Sequence, residues 1–118
     1  MFLLDLNHLH LHVKNINDSK EFYKKFFEFK EKTTYGDLLF LQNNEKFDLA
    51  LQPDSEPHDF PTYFHFGFHL DSPNKVKDLY KKMIKKNIII DKELIDEDDL
   101  VSFRCLDPDK HKIEVYWE

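Results

Sequence analysis

A shift of fifty-seven residues lays one half of this sequence on the other, and that repetition limits the folds open to it. His8 in LNHLHLHV falls on His65 in YFHFGFHL, and Phe22, Tyr23, Phe26 and Phe27 fall on Leu79, Tyr80, Met83 and Ile84. A strand-like segment and the apolar stripe of the helix after it therefore recur at one spacing, which implies two copies of one supersecondary unit. The last strands follow suit. KFDL from Lys46 aligns with KIEV from Lys112 and sets Asp48 opposite Glu114 when the second half is allowed nine more residues.

Within each copy, periodicity predicts the elements. From Leu6 to Val13, Leu9, Leu11 and Val13 share one face of a strand while His8, His10 and His12 share the other. Asn17, Asp18 and Ser19 are N-cap candidates for the helix that follows, and short strands are expected at Lys30–Tyr35, Leu38–Gln42 and Lys46–Gln52. PDSEPHDFP, with three prolines and no periodicity, reads as a linker over 53–62 between repeats at about 1–52 and 63–118. In the second copy Tyr63–Leu70 alternates Phe64, Phe66 and Phe68 against His65, Gly67 and His69. Asp71 or Ser72 caps a helix with Pro73 in its first turn, and strands are expected at Asn87–Leu94, Leu100–Leu106 and Lys112–Trp117. The fold class is α+β: two tandem βαβββ modules in one domain over 1–118, forming a cupped, barrel-like mixed sheet with helices outside.

At 118 residues the chain can bury a sufficient core without staples. One cysteine, Cys105, cannot form an intramolecular bridge, and MFLLDL is too short for a secretory apolar region, so a cytoplasmic location is expected. No apolar run reaches the roughly 20 residues of a membrane helix. Seventeen basic against twenty-three acidic side chains give a formal charge of −6, which argues against a nucleic-acid backbone as partner.

A helix can cover only one face of its sheet, and the apolar set on the first strand is what it can dock against. The histidines then face away from it and line a cleft: His8, His10, His65 and His69, with Asp48, Ala50, Glu114 and Tyr116 from the closing strands. A lone strand histidine is more often a packing residue, but recurrence with a carboxylate on the closing strand points to a site. Two imidazoles and a carboxylate suit a divalent Fe, Mn, Ni, Zn or Co ion with coordination positions left for substrate. His8, His65 and Glu114 are the expected ligands. His12, His58 and His111 receive no role.

LNHLHLHVKNINDSKEFY, YFHFGFHL and DPDKHKIE together resemble the vicinal-oxygen-chelate superfamily, which includes glyoxalase I, bleomycin-resistance proteins, fosfomycin-resistance enzymes and extradiol dioxygenases. The resemblance spans nearly the whole chain and implies the same three ligands. It places Asp48 where glyoxalase-like members have a fourth ligand, and Lys110 where the closing turn usually has glycine. It implies a small-molecule substrate whose oxygens meet the metal as negative charge develops on them. His10 and His69 become acid-base candidates, Asp48 a further catalytic one, and Tyr116 and Arg104 substrate contacts. A glyoxalase-like lyase, a dioxygenase and an antibiotic-modifying transferase all stay open, as does a possible homodimer. The alternative is a metal-free protein of the bleomycin-resistance type that sequesters a drug or metabolite.

Overall fold

A computed structural model describes residues 2–118. It contains two compact units, one running to His58 and the other from Asp59 to Glu118. In the first, β1 (His8–Val13), α1 (Ile16–Phe27), β2 (Lys30–Tyr35), β3 (Leu38–Gln42) and β4 (Asp48–Pro53) form a sheet in the order β1-β4-β3-β2. In the second, β5 (Phe66–His69), α2 (Pro73–Lys85), β6 (Ile90–Asp96), β7 (Val101–Leu106) and β8 (Lys112–Trp117) form β5-β8-β7-β6. Each sheet has one parallel pair, β1 with β4 and β5 with β8, and is otherwise antiparallel. The two expected βαβββ modules are present, in identical strand order.

The period-two pattern decides what each face carries. In the first unit Leu11, Val13, Leu41, Leu49 and Leu51 are essentially fully buried, together with Tyr23 and Phe22 from α1. Tyr23 meets Phe29 edge-on at 6.0 Å between ring centres, just past the left-handed Glu28 that ends the helix. In the second unit Val76 and Met83 of α2 are buried, as are Val101, Phe103, Cys105, Ile113 and Val115, and Tyr80 packs edge-on against Phe103 at 5.1 Å. Each such Leu, Val or Phe removed from water contributes about 1.5–3 kcal/mol, so one apolar face per sheet carries most of the folding energy. Ile84, expected in the α2 stripe, is instead about half exposed.

Several boundaries differ from expectation for local reasons. The cap of α1 is Asn15, whose extended backbone lets its side chain accept from Asp18 N–H at 3.0 Å, so the helix begins before the Asn17–Ser19 cluster. Ser72 caps α2 in the same way. Strand β4 starts at Asp48, because Asn43 folds residues 43–47 into a turn with Lys46 at φ 61°. It runs on through Pro53, which the sequence reading assigns to the linker. Asn87 (φ 61°) closes α2 and delays β6 to Ile90.

Pairing register corrects the internal alignment of the closing strands. His8 pairs with Asp48 and His10 with Ala50, whereas Gly67, the counterpart of His10, pairs with Glu114. Glu114 is therefore the topological counterpart of Ala50. Asp48 sits one pleat earlier than the KFDL/KIEV match implies, because similarity of composition hid a two-residue offset that preserves which face each residue occupies.

Lys110 stands at φ 67° in the β7–β8 turn, confirming that a left-handed residue is needed there. Lys110→Gly should raise unfolding free energy by about 0.5–1 kcal/mol, read by urea denaturation; no gain would show that the lysine carries no backbone penalty.

Candidate metal site

The face of each sheet turned from its helix carries the polar residues. In the second unit adjacent rows hold Gly67, Glu114 and Arg104, then His69, Tyr116 and Ser102. His65 lies one residue before β5, so the expected strand start at Tyr63 is a turn, closed by Phe64 N–H donating to the Pro61 carbonyl at 2.9 Å. Gly67 has a specific role: a Cβ there would stand 2.9 Å from the Glu114 carbonyl oxygen and 3.3 Å from the Glu114 Cβ. Only glycine allows β5 to lie this close to β8.

His65 and Glu114 come together. The Nε2 atom of His65 is 3.8 Å from Oε2 of Glu114, while its Nδ1 contacts the Tyr63 carbonyl at 3.1 Å. A carbonyl only accepts, so Nδ1 carries a proton, and in the neutral ring Nε2 would present its lone pair toward the carboxylate. Two acceptors facing each other beyond hydrogen-bond range suit a cation between them. Donors each about 2.1 Å from one ion can stand at most about 4.2 Å apart, so this pair fits a divalent metal. Among the described residues, no three His, Cys, Asp or Glu side chains are gathered as a complete ligand set.

The other expected residues divide. His8 Nδ1 contacts the Asn7 side-chain oxygen at 3.0 Å, which by the same logic leaves Nε2 free to coordinate. His10 and His12 lie with ring centres 5.2 Å apart, and His12 pairs with Asp54 at 2.8 Å. Asp48 is engaged at both oxygens, accepting from Lys32 Nζ at 2.7 Å and Gln42 Nε2 at 2.9 Å. The Lys32 hydrogen bond in particular holds its carboxyl below the usual range. His69 packs edge-on against Tyr116 at 5.1 Å. Arg104, beside Glu114 on β7, is mostly buried; its guanidinium reaches Asp91 at 3.7 Å, but its Nε has no partner.

Two functional candidates escape sequence reasoning. Lys32 sits at a register shift in β2, a bulge no periodicity reveals. His111, which the sequence gives no role, is buried with Asp107 and bonded to it at 2.7 Å. The D-x-x-x-H spacing was the only available signal. Cys105 is fully buried, and that burial pushes its thiol up to about 12. It stays protonated and unreactive at neutral pH.

The profile of the Glyoxalase/Bleomycin resistance protein/Dioxygenase superfamily matches residues 5–115. The chain is 34% identical to the metallothiol transferase FosB of Bacillus licheniformis, over 97% of its own length and 75% of that relative's. Among solved structures it is similar to the fosfomycin resistance protein FosX of Listeria monocytogenes, with a TM-score of 0.84 at 18% identity over 99% of this chain and 95% of that one. A possible glyoxalase from Bacillus cereus gives 0.81 at 24% identity, covering 96% and 98%. These structures share its fold. No described helix is long and apolar enough to cross a membrane.

Two outcomes test the geometry. Gly67→Ala should destabilise the protein by about 1–3 kcal/mol, because backbone must move to relieve the contact, and should weaken metal binding with it; unchanged thermal melting would refute the close approach. In Lys32→Met the Asp48 carboxyl should titrate higher, toward 3.8. The stability that Asp48 contributes is present above its unfolded-state value and lost as pH falls through its folded one, so in the variant, where the two values draw together, that acid-labile contribution should shrink. A carboxyl carbon NMR titration reads it, and an unmoved midpoint would remove the Lys32 pairing.

Proposed function

Because this chain belongs to the Glyoxalase/Bleomycin resistance protein/Dioxygenase superfamily, we propose that it is a metal-dependent transferase adding a thiol to a small, oxygen-rich, anionic electrophile of the fosfomycin kind. The observation that carries this reading is His65 Nε2 set 3.8 Å from the Glu114 carboxylate, with Nδ1 held by the Tyr63 carbonyl. His65 and Glu114 would hold the metal, and His8 is the third ligand proposed. The 34% identity to a metallothiol transferase favours thiol transfer over isomerisation or ring cleavage.

When bound, the metal supplies a Lewis acid for the oxygen on which negative charge develops. The protein residues have separate tasks. Arg104, with its unpartnered Nε next to Glu114, offers a fixed cation to the anionic group of the substrate. As the carbon–sulfur bond forms and the carbon–oxygen bond breaks, the released oxygen needs a proton. His69 and Tyr116, on the same sheet face, are placed to hold or deliver it, and His10 is the corresponding imidazole of the first unit. Asp48 neutralises Lys32 and keeps that row of the first sheet near zero charge. Ala50, at the topological position of Glu114, offers no donor, so a fourth protein ligand is not part of the proposal. The thiol must be external, since Cys105 is buried and protonated.

Protein purified without chelator and loaded with Mn(II), Ni(II) or Zn(II) should bind about one ion per chain. His65→Ala and Glu114→Gln should each weaken this by more than about a hundredfold and abolish metal-dependent consumption of a thiol with fosfomycin. Undiminished metal affinity in both variants, or equal turnover with chelator, would exclude the proposal.

A further inference from the structure

We propose that the buried Asp107–His111 pair is a positioning device for His65, acting through the rings of Phe60 and Phe64; it rests on the reading of His65 as a metal ligand. His65 precedes the first residue of β5, so its place depends on how the segment 60–65 is held. That segment is anchored to the β7–β8 hairpin. Phe60 packs on the His111 ring with centres 5.5 Å apart, and Phe60 stacks on Phe64 at 4.6 Å and 29°. Lys112 Nζ also donates to the Thr62 carbonyl.

The hairpin turn is closed by its backbone, with Asp107 N–H donating to the His111 carbonyl at 3.0 Å and Lys110 N–H to the Asp107 carbonyl at 2.9 Å. The carboxylate of Asp107 accepts further from the N–H groups of Asp109 at 2.9 Å and His111 at 2.8 Å. A buried imidazole adds nothing this turn needs for closure, and burying it is costly unless it is satisfied. Its Nδ1–H bond to Asp107 at 2.7 Å satisfies it and fixes the ring plane. The ring then serves as a platform for Phe60. Because β8 leads directly from this turn to Glu114, one hairpin sets the position of both ligands of the second unit, and a fixed hairpin gives a fixed spacing between Nε2 and the carboxylate.

The test compares Phe60→Ala and His111→Asn with the parent. Phe60→Ala removes the ring contact and leaves the turn; His111→Asn keeps an N–H donor for Asp107 but removes the platform. Three readouts are needed: Zn(II) affinity by calorimetry, the tautomer of His65 by two-bond nitrogen–proton NMR of the metal-free protein, and thermal melting. Both variants should bind Zn(II) about tenfold more weakly, and the His65 ring should exchange between tautomers instead of holding its proton on Nδ1. Melting of Phe60→Ala should change little, since Phe60 is 45% exposed. An unchanged His65 spectrum in both variants would overturn the proposal. So would loss confined to His111→Asn and accompanied by collapse of its melting transition, which would make the pair a turn stabiliser alone. If His65→Ala leaves Zn(II) affinity unchanged, the ligand reading fails separately, and the tautomer spectrum still decides the positioning.

Discussion

The pairing of β5 with β8 in the register that sets Gly67 beside Glu114 is the constraint on which the candidate site depends. Without a Cβ at position 67 the strands can approach closely, and their register sets Glu114 on the face that His69 shares, within 3.8 Å of the His65 ring. A one-residue slip would turn His69, Glu114 and Arg104 into the face that α2 covers and expose Phe68, Val115 and Phe103 instead. The apolar face thus enforces the polar one. Burial of Ile113, Val115 and Met83 fixes the register, and the register assembles the chemistry.

Much of this was legible in the sequence, because alternation of period two and a helical stripe recurring at a fixed distance are direct consequences of burial geometry. His8, His10, His69, Glu114 and Tyr116 alternate with the more buried residues of their strands, as their spacing requires, while His65 lies one residue outside β5. What stayed hidden is instructive. The two-residue offset between Asp48 and Glu114 keeps both on the predicted face, so no periodicity argument could detect it; only hydrogen-bonded register does. Lys32 was invisible because a bulge re-aims it, and His111 because burial of a turn residue depends on Phe60, which is remote in sequence.

The two units have diverged in what their polar faces carry. In the first, Lys32, Gln42 and Asp48 form a neutralised row, with His8 next to Asp48 in the strand pairing. In the second, the corresponding surface brings an imidazole within 3.8 Å of a carboxylate, beside a guanidinium that reaches Asp91 but whose Nε lacks an acceptor. A buried polar group left without a partner costs folding energy, and among the described residues the one such side-chain atom, Arg104 Nε, belongs to the second unit.

Anomalous diffraction from crystals grown with Zn(II) tests the central claim most directly. The account predicts one strong peak about 2.1 Å from His65 Nε2 and about 2.0–2.2 Å from a Glu114 carboxylate oxygen, with His65 still donating through Nδ1 to the Tyr63 carbonyl. A peak remote from both side chains, or a His65 ring turned to hydrogen-bond Glu114 directly with no ion between them, would contradict it.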